Sequence, residues 1–239
     1  MTPAQPNQSI ITGFIVLQEV VTANVPLGSR ELARRLDLEH SKVNRVLGTL
    51  VHTGMLQQDA SRKYSVGPGI HALSAQSLHA SGLIPASLDP LSELQKLGAT
   101  VALGVVWRES VVYLLHADPH MDLASTAGAH ETFPVRESVI GMALGATEAV
   151  VRWDRTEANQ VAWAAAIGTP RVAAIAAVYP SDNAYARNTE GMNATVAATA
   201  RRIEANLRSG TRPGAKDGGA REAGVMPEPA VRTTPGGRK

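Results

Sequence analysis

The sequence predicts an α+β chain in two parts: a winged helix-turn-helix head, a linker helix, and an α+β body. Three observations carry that prediction. Between Pro26 and Gly67 a helix, a turn, a second helix and a short β-ribbon follow one another. Beyond Ala99 the pattern changes to paired, β-branched apolar runs of strand length, interleaved with helical periodicity. Charge is split along the chain: residues 1–70 hold seven Lys/Arg against five Asp/Glu, residues 71–210 ten against thirteen, and residues 211–239 six against three. A basic head and tail around an acidic middle suit a nucleic-acid reader with a separate sensing body.

Residues 1–8 are polar and Pro-rich and are expected to be disordered. Residues 9–67 make the head. Its first helix spans 9–23, with Ile10, Phe14, Leu17 and Val21 spaced 4, 3 and 4 as a core stripe. Val16 and Val20 are left exposed in this reading, where they can pair with a second subunit. The next helix holds residues 31–36, with Gly28 or Ser29 as N-cap and Leu32 and Leu36 on one face. Asp37-Leu38-Glu39 makes the turn. A helix over 40–52 buries Val43, Val46, Leu47 and Leu50, at offsets 0, 3, 4 and 7, and Gly54 ends it. Residues 55–58 and 63–66 read as two strands joined by the turn Asp59-Ala60-Ser61-Arg62.

Residues 68–82 form a linker helix after the break at Gly67-Pro68-Gly69, and Gly82 interrupts it. The body covers 83–208. It starts with a helix over 84–97 that Pro90 is expected to break or kink at Asp89. Residues 100–106 and 111–115 form a hairpin, and 121–126 a third strand. Phe133 opens a loop, and a helix covers 138–151. Residues 160–167 and 171–179 are two more strands, and 189–207 is a terminal helix with Met192, Val196, Thr199 and Ile203 in one stripe. Residues 209–239 mix Gly, Pro and charge without periodicity and read as a disordered tail.

The bulk properties exclude several classes. No Cys means no disulfide framework, no thiolate metal site and no cysteine nucleophile, which fits a reducing cytosol. The N-terminal stretch lacks a basic n-region and a small-residue cleavage site, and apolar runs such as 100–107 are far too short to span a bilayer. The expectation is a cytoplasmic protein with no membrane partner. His71, His79, His116, His120 and His130 lack metal-ligand spacing, and His116, Asp118 and His120 fit a solvated polar loop, so neither metal nor cofactor is expected. No Gly-x-Ser-x-Gly, phosphate-binding glycine loop or His-Glu-x-x-His motif points to an enzyme.

Double-stranded operator DNA is the partner the head suggests. Ser41, Lys42, Asn44 and Arg45 lie on the N-terminal turns of the helix over 40–52, where a recognition helix enters the major groove. Asn44 suits adenine and Arg45 guanine, while Ser41 and Lys42 suit phosphates. Arg62 and Lys63 at the ribbon tip and Arg30 on the preceding helix are placed to neutralise backbone, whereas Arg34 fits a solvated face.

The stretches ELARRLDLEHSKVNRVLGTLVHTGMLQQD and KYSVGPGI, with Tyr64-x-x-Gly67-Pro68 closing the ribbon, resemble the IclR family of bacterial transcription regulators. More weakly, VALGVVWRESVVYLLHA, GAHETFPVRESVIGMALGA and TPRVAAIAAVYPS are similar to that family's GAF-like effector-binding domain. The resemblance covers residues 10–207. It implies a repressor or activator, homodimeric or a dimer of dimers on a partly palindromic operator, that senses small carboxylates, aromatic compounds or other metabolites. By family position it places Trp107, Val139, Ile140, Gly141 and Val178 at the ligand, with core or interface packing as the more common fate of a Trp at a strand end such as Trp107.

The chain departs from the family's plan in four places. Only residues 148–159 stand where the family carries a longer helical insertion, so the body is shortened. Met142 replaces the family's Lys, the acidic residue and Cys found near the penultimate strand in some members have no counterpart around Gln160, and Ala176 and Val178 stand for Ser. A buried carboxylate needs donors, so these losses predict a larger, rather apolar metabolite, or none. The alternative is a constitutive DNA-binding regulator whose body only oligomerises.

Overall fold

The computed structural model describes residues 5–23 and 25–210. The head comprises α1 (Gln8–Thr22), β1 (Leu27–Gly28), α2 (Ser29–Arg35), α3 (His40–His52), β2 (Leu56–Gln58) and β3 (Lys63–Val66). Its strands pair in the order β1-β3-β2, so the short β1, not foreseen from the sequence, adds a third strand to the ribbon. Asn7 caps α1 by accepting from the backbone N–H groups of Ser9 and Ile10. Leu32, Val43 and Leu47 are fully buried where α2 and α3 meet, and Leu56 and Tyr64 close that core from the ribbon.

The buried face of α1 is largely the reverse of the expected one, with Leu17 alone of the expected stripe packing half-buried against the core. Val16 and Val20 point into the core beside the buried Thr12, whereas Ile10, Phe14 and Val21 are exposed. The helix is apolar nearly all round, so spacing alone does not choose its inner face. The narrower β-branched side is the one that packs against α3.

Gly67 opens α4 (Pro68–Ser81) and comes so near the carbonyl of Gly54 that a Cβ would collide with it. None of the residues of α4 is buried, and Gly82, at φ +64°, ends it and starts α5 (Leu83–Lys96). Pro90 neither ends nor splits α5, which is a single helix with Pro90 buried inside it.

The body is a six-stranded antiparallel sheet in the order β6-β5-β4-β9-β8-β7. Its strands are β4 (Thr100–Trp107), β5 (Ser110–Ala117), β6 (Thr132–Pro134), β7 (Val151–Arg155), β8 (Gln160–Ile167) and β9 (Ala173–Pro180). The helices that follow the hairpins are α6 (Val139–Gly145), α7 (Ala184–Arg187) and α8 (Thr189–Ser209). Period-two alternation divides the central strands between two faces. Val101, Leu103, Trp163, Ile175 and Tyr179 pack against α5 and α8, while Ala102, Ala162, Ala164 and Ala176 face the side that carries α6. With both faces covered, β8 and β9 read as continuous apolar runs.

Three expectations for the body are corrected. Residues 121–126 form no strand; Leu123–Thr126 is a 3-10 turn capped by Asp122. The third strand of this half is instead β6, which pairs with β5 through Val111 opposite Phe133. The helix over 138–151 stops at Gly145, and Val151 onward becomes the edge strand β7, paired with β8. Trp153 alternates with two charged neighbours there, a pattern too short to read as a strand beside the alanines before it. The tail expected from 209 onward lies, beyond Gly210, outside the described residues.

Candidate functional site

The first candidate surface is the outer side of α3. Val43 and Leu47 anchor the helix inward, so Ser41, Arg45, Gly48 and His52, at offsets four, three and four, form the opposite, exposed side. Lys42 and Thr49 flank that side toward α1 and, with Arg45, line a cleft of about 440 Å³ whose far wall is Ile10 and Gly13. Asn44 lies on the other flank. Its amide nitrogen is 3.3 Å from His40 Nε2, which is 3.0 Å from Ser29 Oγ, so this polar chain ties the start of α2 to α3. Ser41 donates to the carboxylate of Glu39, and that bond is the largest cause holding Glu39 below the usual carboxylate range. Among the described residues nothing pairs with the Lys42 ammonium or the Arg45 guanidinium.

The ribbon tip is organised by Asp59, whose carboxylate accepts from the backbone N–H of Lys63 at 2.8 Å. Arg62 takes φ +59° to close the turn, and Arg62 and Lys63 are both exposed. Arg30 and Arg34 are exposed on α2. Arg35 is not available as a free cation: it reaches Glu19 of α1 at 3.0 Å and Glu31 at 2.6 Å, and these carboxylates raise its pKa.

The second candidate surface is a cavity of about 340 Å³ on the α6 side of the body sheet. Thr100, Val178, Ala162 and Trp153 lie in register across β4, β9, β8 and β7. Ala102 and Ala176 make the next row. These small floor residues leave depth between taller walls. Trp153 and Arg155 stand at the β7 end. Tyr113 stands at the other, its ring 5.0 Å from Phe133 and 5.2 Å from His116. Three interstrand steps separate β4 from β7, about 14 Å of backbone, which spans a single-ring molecule with a polar group at each end.

The polar groups sit at those ends. Arg155 donates to Gln160 Oε1 at 3.1 Å and lies over the Trp153 ring at 5.2 Å, so its guanidinium is preset in direction. Across the floor, Asp118 Oδ1 accepts from Thr100 Oγ1 at 2.9 Å. His116 Nδ1 is 3.4 Å from Glu131, whose carboxyl is held low first by its own backbone and then by His116. Ser138 and Val139, at the start of α6, border the opening. The arrangement can hold an acidic group at Arg155 and a hydrogen-bond donor at Asp118.

Of the residues placed at a ligand from sequence, Val139 and Val178 line this cavity and three do not. Trp107 is at the far tip of the β4–β5 hairpin, half-exposed. Ile140 is fully buried on the sheet-facing side of α6. Gly141 faces the backbone of Val135 so closely that any Cβ would overlap it. Ala176 and Val178 line the cavity as apolar residues of the last strand, and its polar side chains come from strand ends and from β7. Thr100 with Ala102, and Gln160 with Ala162, are same-face pairs that strand periodicity makes legible; Trp153 and Arg155 fall in a segment after the expected helix to which the sequence assigns no element.

Residues 13–60 match the IclR helix-turn-helix domain. The HTH-type transcriptional regulator BhcR of Paracoccus denitrificans (strain Pd 1222) is 28% identical over 128 residues, which are 53% of this chain and 46% of that protein. The match thus spans about half the length of that curated relative. An IclR family transcriptional regulator from Brucella abortus superposes with a TM-score of 0.64 at 18% identity, over 88% of this chain and 97% of that one. An IclR homolog from Microbacterium hydrocarbonoxydans, complexed with 4-hydroxybenzoate, gives 0.60 at 20% identity, over 84% and 100% of the two chains. These two likenesses establish the fold, with both the head and the sheet body inside the shared region. Residues 13–60 thus carry an IclR-type helix-turn-helix domain, and the chain as a whole shares its two-part fold with regulators of that family.

Proposed function

We propose that this IclR-type regulator reads a specific operator through α3 and that a small molecule in the sheet cavity sets its affinity for that DNA. The observation that carries the reading is the pair of unpartnered cations, Arg45 on the exposed side of α3 and Lys42 on its flank, with Arg62 and Lys63 at the ribbon tip. In this reading Arg45 and Asn44 contact base edges, and Ser41, Lys42, Arg30, Arg62 and Lys63 contact phosphates. Exposed Ile10 and Ile11 on α1 and Leu73 on α4 support self-association as a homodimer or a dimer of dimers. No helix among the described residues is long and apolar enough to cross a membrane, and the reading places the protein in the cytoplasm.

The cavity supports the sensing half. Arg155 favours an acid, Asp118 and His116 favour a hydroxyl or amino group, and the Tyr113, Phe133 and Trp153 rings favour a flat apolar middle. Hydroxylated aromatic acids have this form, and the Microbacterium relative holds one. The ligand is therefore more polar than the sequence alone suggested.

Two measurements test the reading. In gel shifts at low salt, the chain is expected to retard the DNA upstream of its own gene at concentrations that leave random duplex free. Equal retardation of both overturns specific reading. In a thermal-shift panel of aromatic and aliphatic acids including 4-hydroxybenzoate, a binder raises the melting temperature of the wild type and not of Arg155→Ala. A flat panel would favour the constitutive reading, in which the body only oligomerises.

A further inference from the structure

The DNA head and the cavity share one structural part, the β4–β5 hairpin. At its tip, Gln18 Oε1 of α1 accepts from Trp107 Nε1 at 3.2 Å and from an Arg108 guanidinium nitrogen at 3.0 Å. One turn earlier on α1, Phe14 meets the Trp107 ring edge-on, with centroids 6.4 Å apart at 66°. Two successive hairpin residues thus hold the two successive outward turns of α1. Arg108 takes φ +57° to do so, a left-handed conformation unusual for a residue with a side chain.

At its base, the same hairpin is a wall of the cavity. β4 supplies Thr100 and Ala102, and β5 supplies Tyr113 and His116. A bulge between Leu103 and Gly104 interrupts the pairing midway, where Gly104 lies against Val111, Ile140 and Tyr113. About five residues separate Tyr113 from the tip, roughly 17 Å along an extended strand. α4, which joins head and body along the chain, buries none of its residues. On the head, Phe14 follows directly after Gly13, which lines the cleft shared with Lys42 and Arg45.

We propose that the hairpin tip is the interface through which cavity occupancy is passed to the DNA head, with Trp107, Arg108, Phe14 and Gln18 as its positioning residues. This rests on the reading of α3 as the DNA-contacting helix. The contact is built to be reversible: Phe14 and Trp107 each remain about half exposed, at 54% and 50%, and the polar bonds are at the surface. Docked and undocked heads then differ little in free energy, so a ligand that tilts the hairpin at Tyr113 and His116 changes their ratio. Trp107, placed at the ligand by family position, acts here at the other end of the same hairpin.

The chain has no Cys, so Q18C/R108C carries the only pair of thiols, which a short bismaleimide can bridge. The expected result on the full chain without DNA is an intrachain cross-link. The linked protein should then differ at least about fivefold in affinity for its upstream DNA from the same protein blocked with N-ethylmaleimide, the lower bound for allosteric coupling. Trp107→Ala, which leaves α3 untouched, should shift that affinity in the sense opposite to the cross-link. Failure of the thiols to link within one chain overturns the proposal, as does equal affinity of the linked and blocked forms. Failure of the wild type itself to bind the DNA would fall on the reading of α3, and the cross-link would still decide whether the head docks on the hairpin.

Discussion

Asn206 donates its side-chain N–H to the backbone carbonyl of Ala86 at 3.0 Å, the acceptor that Pro90 cannot serve. In an α-helix the N–H of residue 90 would bond the carbonyl of residue 86, and proline has none. An amide from α8 fills the gap, so α5 runs through its proline unbroken. Asn206→Ala leaves a buried acceptor unpaired and is expected to cost about 1–3 kcal/mol. In a Pro90→Ala background, the restored N–H takes the carbonyl, and the same change should cost markedly less. Thermal unfolding of the four proteins of this cycle gives the coupling. A cost independent of residue 90 would refute the pairing.

Arg171 closes the other end of the cavity's helix. Its guanidinium donates to the carbonyls of Ala143, Ala146, Thr147 and Glu148, the acceptors left open where α6 ends. Arg171→Ala should cost about 1.5–3 kcal/mol, the range for bonds to a charged group. Arg171→Lys should recover only part of it, because an ammonium cannot serve four divergent carbonyls from one plane. Melting temperatures of the three proteins check the order wild type, Lys, Ala.

These two arginine and asparagine roles explain why the sequence discloses the head better than the body. The head is local: α3 ends just before Gly54, and its buried stripe meets only α1, α2 and the ribbon, all within the same short stretch of chain. The body's register depends on partners distant in the chain. Asn206 rescues a proline 116 residues away in sequence, and β7 becomes a strand only because β8 offers an edge to it. Arg155 and Trp153 therefore had no sequence signal of their own. Trp107 and Gly141 carried a family signal, but a tip contact to α1 and a close approach to Val135 account for them instead.

Arg45 and Lys42 should separate base reading from phosphate binding. Arg45 is on the outermost side of α3, and Arg45→Ala is expected to cost about 1–3 kcal/mol on the operator with little loss on random duplex. Lys42 is on the flank, and Lys42→Ala should weaken both DNAs alike and make the salt dependence shallower by roughly one phosphate, about 0.9 in log–log slope. Titrations at several salt concentrations read both effects. Identical behaviour of the two variants would place both side chains on the backbone.

Tyr179 makes the fold sensitive to alkali. Its ring is fully buried on β9 against Trp163, and its hydroxyl has no partner among the described residues. Burial pushes the phenol up to about 12 from its ordinary value of 10.0, with nearby Tyr185 adding to the shift. The folded chain therefore keeps this proton to about pH 12, whereas the unfolded chain releases it near 10. Above pH 10 the unfolded state binds fewer protons, so the stability tied to this group is fully present below that pH and is lost as pH rises toward 12. Tyr179→Phe removes both the ionisable group and an unpaired buried hydroxyl. It should leave stability at neutral pH unchanged or slightly higher, and it should flatten the alkaline decline. Melting temperatures between pH 8 and 12 for the two proteins decide it: parallel curves would mean that Tyr179 is ionised, or hydrogen-bonded to water, in the folded chain.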